Sequence, residues 1–438
     1  MAKSDDVTIQ DVVKDMAKRF CMVFCKSDKC YYIYQKSTGL YKKLDELEMC
    51  KLIGNYINKN DKYHLEWDMS NISCLCEHLK LQIPYPERMG AERNVLHMKN
   101  GVFLLNRMEF CGFDPKYLAT AALPFAYDPG AKSPEFDRFI SSVSGSDAMR
   151  DTLVEIAGCV LAGETSHGKL LMNVGTGANG KSVYLNILCA LLGDDLVTNI
   201  PVSEINGNRA FVLHELAGKR LNALHEMENG ITLEALFDSN VKRIITNEPL
   251  NAEVKYGNRY QFVPNMNFIV NTNYLPEMSG DMPAYAVIRR YLILRWKKTF
   301  TIDEQDKNLY ERLVAEMPGI FNRALEGLQR LREHNFIFSA QAESEEYLEK
   351  FVISSHPAYS FVKECVSSSP KKRVYYESLR NAYIDWLESK GLDAVCESAN
   401  GMTQELKRAI RMQGFVTKTG KSNGRRYICG IALKGVGK

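Results

Sequence analysis

The chain has 438 residues, of which 45% are hydrophobic and 25% are charged. This composition is typical of a protein with buried cores and excludes a largely disordered or fibrous chain. At about one domain per ~150 residues, the length predicts two or three domains. No apolar run approaches ~18 residues, so neither a membrane span nor a membrane partner is expected. The formal net charge of +3 is too small to indicate a polyanionic partner.

The first predicted domain comprises residues 1–135 and is mixed but mostly helical, with a β-hairpin near its start. Aromatic and polar residues alternate on both sides of Ser37-Thr38-Gly39, which is the pattern of two strands joined by a turn. Residues 123–134 contain three prolines and a glycine, and they are predicted to form a linker to the next domain.

The twelve cysteines are scattered along the chain, and the amino terminus lacks the apolar segment of a secretory signal. Reduced thiols in a cytoplasmic protein are therefore expected. Zinc binding by the early cysteines is a minor alternative, because their spacings lack paired C-x2-C units. The cysteines concerned are Cys21, Cys25, Cys30, Cys50, Cys74 and Cys76.

The second predicted domain comprises residues 136–335. Segments with helical periodicity alternate there with short apolar runs, for example residues 170–174, 267–270 and 291–294. This alternation predicts an α/β fold with a parallel sheet.

One of these apolar runs leads into a glycine-rich motif of the form G-x4-G-K-[ST], and a helical pattern follows it. A strand, a glycine loop and a helix form the context in which backbone N–H groups cradle phosphates. The lysine supplies a charge to the β- and γ-phosphates of ATP, and the hydroxyl can ligate Mg²⁺. The predicted nucleotide-binding residues are Gly175, Thr176, Gly177, Ala178, Asn179, Gly180, Lys181 and Ser182.

Polar residues flank three further apolar runs. Glu226 follows the first and is a candidate to hold Mg²⁺ or to polarise the attacking water. Asn273 follows the second and is a candidate γ-phosphate sensor. Arg289 and Arg290 precede the third, and an arginine outside the phosphate loop is the usual source of a finger that stabilises transition-state charge.

The third predicted domain, residues 355–438, has the order helix, helix, hairpin, which is the pattern of a winged helix. Residues 401–438 carry nine Lys/Arg and one acid, so a face that binds a polyanion is predicted, with a merely solvated face as the alternative. The candidate DNA-binding residues are Lys407, Arg408, Arg411, Lys418, Lys421, Arg425 and Arg426.

In this order, residues 175–182, 220–230, 267–278 and 288–296 resemble the motifs of superfamily 3 helicases. More narrowly, they are similar to poxvirus-type and phage or plasmid primase-helicases of the AAA+ class. The resemblance extends over most of the chain. Residues 100–106 and 113–140 resemble the helical domain that precedes the motor in that family, and residues 358–433 resemble its winged helix.

The resemblance implies a role for each motif residue: Lys181 and Ser182 as phosphate and Mg²⁺ ligands, Glu226 as the motif acid and a metal ligand, Asn273 as the sensor, and Arg289 or, preferably, Arg290 as the finger.

This sequence departs from the family in its acidic motif. Many members have two adjacent acids, whereas here His225 precedes Glu226, and Glu228 follows two positions later. Glu228 is therefore kept as a residue that could share the role of Glu226.

Residues 252–262 resemble the DNA-gripping hairpin of the family, since strand-like flanks surround a Gly-Asn turn. Cationic side chains there would contact phosphates, and rings would stack on bases. A plain surface hairpin is the alternative. The residues expected at its tip are Lys255, Tyr256, Arg259 and Tyr260.

The function expected from these features is an ATP-dependent, ring-forming helicase that translocates on single-stranded DNA during replication of a phage, plasmid or other mobile element. The resemblance implies a homo-hexamer acting on forked DNA in the bacterial cytoplasm, with priming or synthesis left to a separate primase or polymerase. The alternatives are an ATP-switched replication initiator or helicase loader and, less favoured, a small-molecule kinase.

Overall fold

The computed structural model describes residues 8–60, 63, 68–90, 93–207, 209–228, 230–236, 239–253, 259–278, 288–355, 357–393, 396 and 398–434. Within these ranges, no helix combines the length and the apolar character required to cross a bilayer.

The amino-terminal region contains two small antiparallel sheets and three helices. Its elements are α1 (Ile9–Arg19), β1 (Met22–Cys25), β2 (Cys30–Gln35), β3 (Leu40–Leu44), α2 (Glu46–Asn58), α3 (Met69–Gln82), β4 (Val95–Met98), β5 (Gly101–Leu104) and β6 (Glu109–Cys111). Strands β1 to β3 form one sheet and β4 to β6 the other. The predicted hairpin is confirmed, because β2 and β3 pair from Tyr31↔Leu44 to Gln35↔Leu40.

The region is mixed, but it contains more strand than the single predicted hairpin, because residues 100–106 include strand β5 of the second sheet. Val102 and Phe103 are both buried, and β-branched and aromatic residues favour a pleated, half-buried surface.

The segment before the second region is irregular, with a short 3-10 helix at Pro115–Tyr117. It nevertheless packs against the second region. Leu123 and Phe125 are buried, and the Phe125 ring lies 5.9 Å from that of Phe321. The Asn322 side-chain amide donates hydrogen bonds to the carbonyl oxygens of residues 128 and 131. The predicted linker therefore attaches the amino-terminal region firmly to the second one.

The second region is an α/β unit. Its elements are α4 (Pro134–Val143), α5 (Asp147–Ala162), β7 (Leu170–Val174), α6 (Lys181–Leu192), β8 (Val197–Thr198), α7 (Val202–Asn206), α8 (Ala210–His214), β9 (Leu221–Leu224), α9 (Leu233–Leu236), α10 (Ser239–Ile245), β10 (Leu250–Glu253), β11 (Arg259–Phe262), β12 (Asn267–Thr272), β13 (Tyr291–Arg295), α11 (Leu309–Ala315) and α12 (Met317–Glu333).

Five of these strands form a parallel sheet in the order β13-β7-β12-β9-β8. Counted along the chain, this order is fifth, first, fourth, third, second. The predicted parallel sheet is thereby confirmed.

Both faces of the sheet are covered, which explains the continuous apolar runs in its strands. Leu171 and Ile269 belong to the hydrophobic cluster that includes Tyr184 of α6. Their neighbours Met172 and Val270 belong to the other cluster, because successive side chains in a strand point to opposite faces.

The carboxyl-terminal region packs against the second face of the sheet. Its elements are α13 (Gln341–Ser355), α14 (Pro357–Cys365), β14 (Val366–Tyr375), α15 (Tyr376–Lys390), α16 (Ala399–Met412), β15 (Lys418–Ser422) and β16 (Arg425–Leu433). Its strands form an antiparallel sheet in the order β14-β16-β15. The two predicted helices and the hairpin are present as α15, α16 and β15–β16. Ser398 caps the start of α16 by accepting a hydrogen bond from the Gly401 N–H at 3.0 Å.

A partly buried histidine just before β7 is held in its neutral form. His167 Nδ1 accepts a hydrogen bond from the Lys169 N–H at 3.1 Å, and Nε2 lies 2.8 Å from Asn267 Oδ1. Burial lowers the pKa of His167 to about 4. Because this value is below the ordinary pKa of ~6.5, its contribution to stability is complete above that pH and is lost as the pH falls towards 4.

We therefore expect His167 to make folding acid-sensitive. As the pH falls from 7 to 5, protonation linked to His167 should lower the free energy of unfolding by roughly 2 kcal/mol. The glutamine in His167→Gln does not titrate, so this variant should lose roughly that much less stability over the same pH range. Thermal melts of both proteins at the two pH values measure it, and equal pH dependence in the two proteins would contradict the prediction.

Candidate nucleotide-binding site and nucleic-acid interface

The glycine motif forms a tight loop between β7 and α6. Gly180 has φ = 90° and precedes the first turn of α6, a backbone conformation that favours glycine. Gly175 is required for a different reason, because a Cβ there would lie 2.5 Å from the carbonyl oxygen of Trp296. The loop therefore has the local shape that its sequence predicts.

Lys181 is enclosed by this loop and is only 6% exposed. Its ammonium donates hydrogen bonds to the Gly175 carbonyl oxygen and, at 3.0 Å, to Asn179 Oδ1. Burial lowers the pKa of the Lys181 ammonium. Both partners are neutral oxygens, so the cation keeps its full capacity to attract an anionic phosphate.

A cleft of about 590 Å³ opens beside the loop. It brings together residues 177–183 with Glu226 and Asn273, which follow the carboxyl ends of β9 and β12. Parallel strands end at the same edge of a sheet, which is where ligands bind in open α/β sheets. Residues from three separate segments that the sequence singled out thus line one cleft.

Glu228 takes a different position from Glu226. Its carboxylate accepts hydrogen bonds from the Ser203 N–H at 3.1 Å and from the Ser203 hydroxyl at 2.5 Å. Ser203 lies in the first turn of α7. Glu228 therefore holds the start of a helix, while Glu226 is exposed in the cleft.

Arg289 and Arg290 lie at the amino-terminal ends of the strands, whereas the glycine loop lies at their carboxyl-terminal ends. They precede β13, whose first residue pairs with Leu170 and whose last pairs with Val174. The five residues of β13 separate the two edges by about 16 Å at ~3.3 Å per residue. Neither arginine is therefore placed to reach a phosphate bound by its own loop.

The predicted hairpin between the acid and the sensor has its two strands in place, since β10 and β11 pair from Leu250↔Phe262 to Glu253↔Arg259. Lys255 and Tyr256 lie outside the described residues. Arg259 is exposed, and its guanidinium pairs with Glu253 at 2.8 Å.

Tyr260 is not at the hairpin tip, which corrects the expectation. It is half-buried, its hydroxyl lies 2.6 Å from His214 Nδ1, and the Arg88 guanidinium lies 4.9 Å from its ring centre. The register places Tyr260 opposite Ala252, one pair further from the turn, so the ring supports the base of the hairpin.

The basic residues of the carboxyl-terminal region lie on two elements. Arg411 on α16 is exposed, whereas Arg408 is half-buried and Lys407 lies 4.9 Å from the centre of the Tyr376 ring. The remaining four are exposed on the β15–β16 hairpin: Lys418, Lys421, Arg425 and Arg426.

Sequence reasoning missed three cations on the neighbouring strand β14. Lys371, Lys372 and Arg373 are exposed there, and Arg373 pairs in register with Cys429 of β16. Their adjacency in the sequence was a signal that could have been used, but the predicted hairpin did not include a third strand.

No group of three or more potential metal-ligating His, Cys, Asp or Glu side chains occurs in the part of the chain that the structure describes. All twelve cysteines lie in that part, and each is a free thiol.

The fold and the cleft define an α/β protein with a glycine loop at the carboxyl edge of a parallel sheet. Two family models match parts of it: "D5 N terminal like" over residues 41–145, and a family of unknown function (DUF5906) over residues 173–290. The second match includes the glycine loop, Glu226, the hairpin and both arginines.

Solved structures of the C-terminal region of NrS-1 have a similar fold. An apo structure of NrS-1 residues 305–718 aligns with 98% of this chain and 100% of its own at 13% identity, with a TM-score of 0.56. An A-form apo structure of the same region aligns over 98% and 100% at 14% identity, with a TM-score of 0.53. At these identities the likeness shows a common fold.

Proposed function

We propose that this protein is an ATP-driven DNA helicase of the AAA+ superfamily 3 type that acts in replication of a phage, plasmid or other mobile element. One observation carries the proposal. Lys181, Glu226 and Asn273 line a single cleft, and Arg289 and Arg290 lie at the far edge of the same sheet. That arrangement suits a ring in which each subunit completes the site of its neighbour.

The cleft supports ATP hydrolysis through its residues. The buried Lys181 ammonium would bind β- and γ-phosphate oxygens, and the Glu226 carboxylate would orient and deprotonate the attacking water. Asn273 would contact the terminal phosphate. The exposed Ser182 hydroxyl and Glu226 are oxygen donors of the kind that Mg²⁺ prefers, and the ion would neutralise charge on the phosphates.

The DNA-binding role is supported by charge. Arg411 of α16 and the four hairpin cations are exposed, and in a winged-helix domain they would contact duplex phosphates. Lys255, Tyr256 and Arg259 of the motor hairpin would grip the translocating single strand in a homo-hexamer. Priming would come from a separate protein, and the site of action would be the bacterial cytoplasm.

Forked DNA tests the proposal against the initiator alternative. With ATP and Mg²⁺, the protein should separate a forked duplex processively, and single-stranded DNA should stimulate its ATPase. The matched variant Arg259→Ala should retain basal ATPase and lose most of the stimulation. ATP-dependent binding and melting without processive separation would favour an initiator or loader, and DNA-independent turnover would reject both.

A further inference from the structure

Four buried asparagines lie inside the parallel sheet. The side chain of Asn222 is satisfied by both backbone groups of Ile200, at 2.9 Å and 3.0 Å. That of Asn267 is satisfied by His167 and the Cys159 carbonyl oxygen. Asn173 and Asn271, which pair in register on β7 and β12, are bonded to each other. Asn271 differs from the other three because one of its side-chain atoms has no hydrogen-bond partner among the described residues.

The orientation of the Asn173–Asn271 pair follows from Trp296. The indole N–H is a donor only, and it donates to Asn173 Oδ1 at 3.0 Å. Asn173 must then use its Nδ2 to donate to Asn271 Oδ1, at 2.9 Å. Asn271 is left with a buried Nδ2 that has no hydrogen-bond partner among the described residues. Such an atom in a folded protein requires an explanation, because leaving it unpaired costs free energy.

Asn271 lies on the face of the sheet that packs against α6 and lines the cleft. Asn271 shares a sheet face with Ile269, which packs in the same cluster as Tyr184 of helix α6, and it lines the cleft with Lys181 and Asn273. Asn179 donates to the Trp296 carbonyl oxygen at 3.4 Å and accepts from Lys181 at 3.0 Å. One hydrogen-bond network therefore joins the loop lysine to Asn271 through Trp296.

We propose that the Asn271 side-chain amide donates a hydrogen bond to the terminal phosphate of a bound nucleoside triphosphate. Strand β12 then carries two phosphate-sensing amides, the exposed Asn273 at its end and the buried Asn271 within it. A triphosphate satisfies the donor and a diphosphate does not. Asn271 thereby makes the affinity of the cleft depend on the γ-phosphate and transmits its presence to the loop through Trp296. This inference rests on the proposed nucleotide-binding function.

The test compares binding of ADP with that of the slowly hydrolysed analogue ATPγS by titration calorimetry on the full chain. Asn271→Ala should weaken ATPγS binding by about tenfold to a hundredfold, the range for a hydrogen bond to a charged group, and ADP binding by less than about threefold. Asn271→Asp preserves the acceptor for Asn173 but replaces the donor with a carboxylate, so its loss of ATPγS affinity should be at least as large.

Asn222→Ala is the matched control, a buried strand asparagine with both side-chain atoms satisfied, and it should shift both affinities equally or not at all. Melting temperatures confirm that each variant is folded. If the Asn271 variants weaken ADP and ATPγS equally, or leave both unchanged, the inference is wrong while nucleotide binding stands. If the wild-type protein binds neither nucleotide, the proposed function itself is wrong.

Discussion

Glu226→Gln should leave ATP binding within a few-fold of wild type and lower the rate of hydrolysis by about 10²–10⁴-fold, the usual contribution of a general base. The amide retains the size of the carboxylate but cannot take a proton from water. Lys181→Ala should instead abolish nucleotide binding, because the cation enclosed by the loop is removed. Filter binding of labelled ATP and a phosphate-release assay separate the two effects.

Glu228→Gln is the matched control for this experiment. Its carboxylate is bonded to Ser203 at the start of α7, so the change should affect stability and leave turnover close to wild type. If Glu228→Gln abolishes hydrolysis and Glu226→Gln does not, the roles of the two acids are reversed and the assignment of Glu226 must be withdrawn.

Arg290→Ala should lower ATP turnover by about 10³-fold or more, the contribution of an arginine finger. Since the arginine lies at the far edge of its own sheet, the loss should be repairable by a neighbour. Arg290→Ala subunits have an intact glycine loop, and Lys181→Ala subunits have an intact arginine. A mixture of the two inactive proteins should therefore regain hydrolysis at interfaces that combine the intact halves.

The mixing experiment has its own controls. Arg289→Ala, mixed in the same way, identifies which of the adjacent arginines acts, and a mixture of Lys181→Ala with Glu226→Gln should remain inactive because neither has a complete cleft. Phosphate release measured against the mixing ratio gives the readout. If no ratio restores turnover for either arginine, a finger supplied by a neighbouring subunit is ruled out.

Much of the fold was predictable because its signals are local. The β2–β3 hairpin, the parallel sheet, helices α15 and α16 and the final hairpin were predicted from periodicity and turn residues. The errors occurred where packing overrides local pattern. The second small sheet, which contains β5 (Gly101–Leu104), was not predicted, and Tyr260 turns into a pocket with Arg88 and His214.

The candidate site divides in the same way. The glycine loop is confined to eight consecutive residues, 175–182. Its residue types and spacing are local signals, so the residue order suffices to predict it. The polar residue Asn271 directly follows the apolar run 267–270 in the sequence. Nothing in its local sequence distinguishes it from a core asparagine whose hydrogen bonds are satisfied, such as Asn222.

What Asn271 contacts depends on strand order. It bonds to Asn173, 98 positions earlier, and Asn173 bonds to Trp296, 123 positions later. These side chains meet because the first strand of the sheet lies between the fourth and the fifth. Short-range chemistry within the chain was enough to predict a phosphate loop, whereas the buried amide beside it exists only because long-range packing brings three distant strands together.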